Sequence, residues 1–219
     1  LWTSFVLDAA AVAVGLAVSP IFAAGCLIYC VGSRIYSHPG IRMKRYPFPG
    51  WLSVGAGQGG LVFMMVVLAA QGSTPVAGGF AGLILPALAV VALTLGFQPL
   101  TQVYQHREDS ANGVETISIR AGIKGTFCLS AAFILAGLAL YSLFLAVRSG
   151  SGHVAAFLIM NSPAALCFFA WFVAVMRDES RADFRRARTL SLLAASGMNL
   201  FALSVLLKER GCPAFLSGV

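Results

Sequence analysis

The sequence predicts an all-α, polytopic transmembrane helix bundle, and three observations carry that expectation. Of the 219 residues, 58% are hydrophobic and only 11% charged, against roughly 45–50% and about 25% in soluble proteins. The apolar residues gather in runs near the ~20 residues that carry a helix across a bilayer. The basic residues gather between those runs, and mostly in alternate gaps. Hydrocarbon demands that every backbone polar group be satisfied internally, which helices and closed barrels achieve. Barrel strands alternate over segments of about ten residues, and the runs here are longer and continuously apolar, so helices are expected.

Seven segments follow in order. The first, 1–18, begins at Leu1 without an initiator methionine, and has neither the basic n-region nor the cleavage site of a signal peptide. It contains Asp8, an acid whose burial in hydrocarbon is costly, which makes it either a functional group or one held by local hydrogen bonds. Pro20 marks the turn into the second segment, 19–36. The third is 48–71. The fourth, 79–102, contains Pro86 and Pro99; the fifth is 125–147; the sixth, 154–176, contains Pro163; the seventh is 189–207. The internal prolines predict kinks whose freed backbone groups find other partners. Gln58, Asn161 and Asn199 are intramembrane amides that either bond across helices or face a cavity. Cys26, Cys30, Cys128 and Cys167 lie in apolar runs without metal-ligand spacing and read as packing residues, not as a disulfide framework. The chain reads as one membrane domain, 1–219.

If the seven segments alternate, three loops share a side. The 33–47 loop carries Arg34, Arg42, Lys44 and Arg45; the 103–124 loop carries Arg107, Arg120 and Lys124; the 177–188 loop carries Arg177, Arg181, Arg185, Arg186 and Arg188. These are twelve of the fifteen basic residues, with only Arg148, Lys208 and Arg210 opposite. The positive-inside rule places the crowded side in the cytoplasm. The net charge of +7 is spread over membrane-flanking loops without a recognisable nucleic-acid module. Nucleic acid is therefore not an expected partner, whereas membrane lipid is. The 177–188 loop, which also holds Asp178, Glu179 and Asp183, is expected to contact headgroups.

Two loops on the crowded side are richer in polar detail than a helix connection requires. The first reads Tyr36-Ser-His-Pro-Gly-Ile-Arg-Met-Lys44-Arg45, followed by Pro49-Gly50-Trp51. The second runs from Thr101, Gln102, Tyr104, Gln105 and His106 through Glu108-Asp109 and Asn112-Gly113 to Arg120-Ala-Gly122. If the fourth helix continues through 109, Gln102, Gln105 and Asp109 stand at i, i+3 and i+7 on one face. A carboxylate with amide neighbours suits Mg²⁺ when a phosphate and water complete the shell. The competing reading is a solvated helix end capped by Asn112-Gly113. His38 and His106 have no helical spacing to a second ligand and are expected to be solvated or to contact phosphate.

These stretches resemble a family. Tyr-Ser-x-Pro-x-x-Arg-x-Lys, a short gap and Gly-Trp, with Asp-x-x-x-Gly-x-x-Thr-x-x-x-Arg-x-Gly one helical hairpin later, is similar to the UbiA superfamily of intramembrane prenyltransferases, nearest its chlorophyll-synthase and menaquinone-type branches. The resemblance covers most of the chain. It implies a nine-helix fold in which two aspartate-rich motifs hold Mg²⁺ against the diphosphate of a polyprenyl donor, while an aromatic or quinone-precursor acceptor takes the prenyl group. It implies Asp109 as metal ligand and catalytic residue, Arg42 and Lys44 as catalytic and diphosphate-binding residues, and Tyr36, Gln102 and Gln105 as further substrate-binding residues. Phe63, Phe97 and Trp171 are candidates for walls that shelter an allylic cation. The implied location is the bacterial inner membrane, with both motif loops facing the cytoplasm.

The chain departs from the family pattern in two places. Thr101, Gln102 and Gln105 stand where the second motif usually offers asparagine and further carboxylates, and the first motif has no match. The seven segments would then be the third to ninth helices, with the first two and the first motif upstream of Leu1, so that the 219 residues alone are expected to be inactive. Two other functions stay open: a family member retained as a non-catalytic lipid- or quinone-binding subunit, and an unrelated transporter, which would show repeats or paired broken helices.

Overall fold

The computed structural model describes residues 2–71 and 81–209. Leu1, the 72–78 connection and Arg210 lie outside the described residues. Those described are all-α and divide into two compact units, Leu1–Tyr141 and Ser142–Val219. Among them, six helical stretches are long and apolar enough to cross a membrane: Pro20–Ser37, Pro47–Ala70, Gly82–Ala111, Ile117–Ser149, Ser151–Arg177 and Phe184–Lys208. The first expected segment forms α1 (Trp2–Val18), apolar but only 17 residues long, at the lower limit of roughly 17–25 residues for a span. Large side chains such as Val6, Leu16, Ile28 and Leu135 stay exposed, as a lipid-facing surface requires and a water-facing one would not tolerate.

The first unit opens with a hairpin. Ser19 caps α2 (Pro20–Ser37) by accepting from the Phe22 amide at 3.0 Å, with Pro20 at the first helical position, where its missing N–H is no loss. Across the hairpin Asp8 pairs with Arg34, whose guanidinium lies 3.6 Å from the centre of the Phe5 ring. Arg34 is therefore a helix residue engaged by α1 rather than a free loop charge, and local pairing is the reading of Asp8 that the structure supports. The third segment combines α3 (Pro47–Val54), a wide π-helical turn at Gly55–Leu61, and α4 (Val62–Gln71).

Next comes α5 (Ala81–Leu100), which contains Pro86 and Pro99. Proline has no N–H for the carbonyl four residues back, so Pro99 deprives the Leu95 carbonyl of its helical donor. The Trp51 indole N–H supplies a replacement at 2.8 Å. Trp51, Leu95 and Ile117 form a buried cluster with Val91, Leu129 and Phe133 packed against it. The Phe133 ring meets Trp51 edge-on, 5.0 Å between centroids. Leu129 and Phe133 belong to α7 (Ile117–Ser149). At Gly96 a Cβ would stand 2.9 Å from the Ile134 amide nitrogen, so glycine permits the close approach of α5 and α7. Between α5 and α7 lie a 3₁₀ turn, Val103–Gln105, and α6 (His106–Ala111).

The second unit is built around the hairpin of α8 (Ser151–Arg177) and α9 (Phe184–Glu209). Pro163 frees the Ile159 carbonyl, and the adjacent Ser162 hydroxyl donates to it at 2.7 Å. Asn161 is buried and donates to the Phe157 carbonyl of its own helix. Phe157 meets Phe201 edge-on at 5.4 Å. At the turn, Asp178 accepts from the Ser180 amide and hydroxyl, and the Trp171 indole donates to the Arg181 carbonyl at 2.8 Å. Those Ser180 donors, with Arg181 beside them, hold the Asp178 carboxyl below the usual carboxylate range. Arg186 pairs with Asp183.

Candidate functional site

Tyr36 lies in the last turn of α2, where the Arg34 carbonyl is capped by the His38 amide. The chain then turns tightly. Gly40 donates its amide to His38 Nδ1 at 3.1 Å, the Arg42 amide reaches the His38 carbonyl at 2.6 Å, and Arg42 adopts a left-handed conformation with φ 43° and ψ 56°. That residue opens the 3₁₀ turn Met43–Arg45, which carries Lys44. Gly50 of α3 closes on this turn: a Cβ there would lie 3.1 Å from the Met43 carbonyl oxygen. The loop is thus a packed structure rather than a slack connection, and Arg42 and Lys44 are both half-buried in it.

The second loop corrects one sequence expectation. A single helix does not carry Gln102, Gln105 and Asp109 on one face, because α5 ends at Leu100 and the chain passes through a turn and a 3₁₀ segment before α6 begins. Pro99 loosens the turn before the break, and the amides of Thr101 and Gln102 then bond three residues back, to the Gln98 and Pro99 carbonyls, in the tighter 3₁₀ pattern that closes a helix. Gln105 is consequently exposed. In its place the structure brings forward Gln98, which pattern reasoning passed over. The Oε1 atoms of Gln98 and Gln102 are both buried without a hydrogen-bond partner. The available signal was a glutamine beside a proline near the polar end of an apolar helix.

Asp109 occupies α6, whose end is capped as expected: the Asn112 amide reaches the Glu108 carbonyl, Val114 donates to the Asp109 carbonyl at 2.9 Å, and Gly113 is left-handed at φ 63°. Capping and a functional role for the side chain are compatible, since the cap uses backbone carbonyls. The half-buried carboxyl feels three neighbours, Glu108, His106 and Lys44, and Tyr36 in turn feels Asp109. Tyr36 and Lys44 from the first loop, and His106 from the second, therefore lie within electrostatic range of Asp109. Arg42 stands two residues from Lys44 but has no ion pair among the described residues. Of the aromatic candidates, Phe63 and Phe97 are half-buried in the first unit, while Trp171 belongs to the second and is committed to the α8–α9 turn.

The donor set decides what cation this cluster suits. Among the described residues no three of His, Cys, Asp and Glu converge on one point, so a closed protein cage for a transition metal is not built there. Asp109, its neighbour Glu108, and the unpartnered amide oxygens of Gln98 and Gln102 are all hard oxygen donors. Mg²⁺ is commonly held by one or two carboxylates, with substrate phosphates and water completing its shell. In donor chemistry these residues are of the kind such an open site uses.

The family model described as the UbiA prenyltransferase family matches residues 1–196. No curated protein and no solved structure matches the chain. The matched residues include both polar loops and most of the helical framework around them, and members of this family are intramembrane prenyltransferases. By that match, and by its all-α membrane architecture, the chain belongs to the UbiA prenyltransferase family.

Proposed function

We propose that this protein moves an isoprenyl group from a polyprenyl diphosphate to an aromatic or quinone-precursor acceptor, with the diphosphate bound between the 33–47 and 103–124 loops. The observation that carries this reading is that Asp109 interacts electrostatically with Tyr36, Lys44 and His106, while the end of α5 and the turn after it hold two unpartnered amide oxygens. Lys44 offers a compact charge and Arg42 a planar fork, two complementary ways to grip phosphate oxygens. The Tyr36 hydroxyl donates to the same group. Asp109, with Gln98 and Gln102, holds Mg²⁺, since a carboxylate faces a diphosphate favourably only through a cation. When bound, the metal offsets negative charge on the diphosphate as it departs. Phe63 and Phe97 keep water from the allylic carbon. The positive-inside rule supports a cytoplasmic position for these basic loops, which cysteine-accessibility labelling at 33–47 and 103–124 tests: labelling of either loop from the outer face overturns the orientation.

The decisive experiment is a titration with farnesyl diphosphate, with and without Mg²⁺, for Asp109→Asn, Arg42→Ala and Lys44→Ala. Loss of either basic residue weakens binding in both conditions. Asp109→Asn removes the Mg²⁺-dependent increment and leaves metal-independent binding in place. If all three variants bind like the parent, the donor site lies elsewhere. A second reading, a non-catalytic lipid- or quinone-binding member, is favoured by the poverty of carboxylates around Asp109; it predicts binding of a quinone without Mg²⁺-dependent binding of the diphosphate.

A further inference from the structure

A chain of side-chain hydrogen bonds connects the interior of α7 to α6. Ser118 and Thr126 are fully buried. Between them Gly122 leaves helical geometry, with φ 70° and ψ 172°. The Thr126 hydroxyl lies 2.7 Å from the Gly122 carbonyl, 3.1 Å from the Ser118 carbonyl and 3.0 Å from Ser118 Oγ. Ser118 Oγ lies 2.6 Å from His106 Nε2. Repair of the kink accounts for the two carbonyls within reach of Thr126, whose single proton serves one acceptor at a time, because a break in the helix leaves acceptors that a nearby hydroxyl can serve. It does not account for His106, which belongs to another helix and has no further hydrogen bond among the described residues. His106 precedes Asp109 by three positions on α6, the spacing that puts two side chains on one face, and the two groups interact electrostatically.

We propose that His106 is a further donor-site residue: Ser118 and Thr126 hold its imidazole through Nε2, so that Nδ1–H is presented beside Asp109 as a hydrogen-bond donor to a phosphate oxygen of the prenyl diphosphate. This rests on the donor-site reading above and extends it. The hydroxyl chain accommodates either tautomer, and the carboxylate near the ring selects between them. When Thr126 donates to Ser118 Oγ, the Ser118 proton is free to point at Nε2, and a neutral ring that accepts at Nε2 carries its own proton on Nδ1. The reverse arrangement, Nε2–H donating to Ser118, would leave a lone pair on Nδ1. That lone pair would be repelled by the nearby Asp109 carboxylate and would have nothing to offer an anionic phosphate. A neutral donor also adds direction without another full charge, which the Arg42 and Lys44 pair already supplies.

Two measurements test this. Nitrogen NMR of the histidine-labelled parent protein, which has three histidines, assigns the His106 signals by comparison with His106→Asn. The expected state is the Nδ1–H tautomer, shifting toward a mixture in Ser118→Ala; an Nε2–H tautomer in the parent overturns the proposal. Farnesyl diphosphate titrations supply the second readout. His106→Asn keeps an amide N–H near the Nδ1 position and should stay within about threefold of the parent, whereas His106→Gln moves that N–H to the Nε2 position and should lose roughly tenfold, the worth of one hydrogen bond to a charged group. Equal affinity of the Asn, Gln and parent proteins overturns the proposal. If Lys44→Ala and Asp109→Asn weaken binding in that same series, the donor site stands and only the role of His106 falls; if they too bind like the parent, both readings fall.

Discussion

The bond between Trp51 and the Leu95 carbonyl invites a perturbation whose size follows from the structure. Pro99 cannot donate to that carbonyl, so Trp51→Phe leaves a buried acceptor with no partner. The orphaned group costs about 1–3 kcal/mol by soluble-protein experience, and measured hydrogen bonds between membrane helices average about 0.6 and reach about 1.7 kcal/mol. An estimate of about 1–2 kcal/mol covers the bond, with about 1–2 kcal/mol more for the indole volume lost from the cluster with Ile117 and Phe133. Pro99→Ala changes the answer, because an alanine in that place brings an N–H that can bond to Leu95 in the ordinary helical way. In that background Trp51→Phe should incur only the packing part. The double-mutant cycle should therefore show a coupling of about 1–2 kcal/mol, read as unfolding midpoints in mixed detergent micelles of increasing denaturing fraction. Equal effects of Trp51→Phe in the two backgrounds would refute the argument that the indole replaces the donor Pro99 lacks.

Other perturbations test separate parts of the fold. At Gly197 of α9 a Cβ would stand 2.7 Å from the Met160 carbonyl oxygen and 2.8 Å from Asn161 Oδ1, so Gly197→Ala should destabilise by about 1–3 kcal/mol, while Gly152→Ala, which meets no atom within 4 Å, should not; the same micelle titration compares them. Arg42→Gly should raise the unfolding free energy by about 1 kcal/mol by relieving a left-handed residue and should weaken farnesyl diphosphate binding at the same time; Arg42→Ala should weaken binding without the gain. Because Asp178 is held below its ordinary value, its cap contributes fully above the unfolded value near 3.9 and is lost only as pH falls through the lower folded value. Hydrogen exchange at the Ser180 amide should therefore keep constant protection from neutral pH to about pH 5; early loss would contradict the hydrogen-bonded carboxylate.

Much of the framework was legible because bilayer constraints act on composition and length. Apolar runs gave the helices, and the idea that internal prolines find substitute donors holds twice, at Pro99 through Trp51 and at Pro163 through Ser162. What stayed hidden depends on pairings across the chain. Asp8 looked equally suited to function or to a local bond until Arg34, 26 residues away, was seen beside it. Gln105 shared a helical face with Asp109 only for an unbroken helix, and a proline near the end of a span leaves both a kink and a stop compatible with the pattern. His106 carried only its i, i+3 spacing to Asp109, and nothing in the sequence pointed to its partner Ser118, which lies beyond a turn and at the start of another helix.

The two glutamines at the end of α5 gain meaning from this contrast. A membrane helix repairs the defects it can: Leu95 and Ile159, both deprived of donors by proline, each received one from a side chain. The Oε1 atoms of Gln98 and Gln102 are buried and did not, although each unmade bond of this kind costs about 1–3 kcal/mol. An acceptor left dry and unpaired binds a cation or a donor more strongly than one already engaged, because little must be broken first. On the proposed function, those oxygens are left unengaged because their partner arrives with the substrate, and the Pro99 stop turns the chain so that Gln102 leads toward α6 and Asp109. Leucine at both positions would then preserve or raise stability while removing Mg²⁺-dependent diphosphate binding. A loss of stability with unchanged binding would instead make them framework residues.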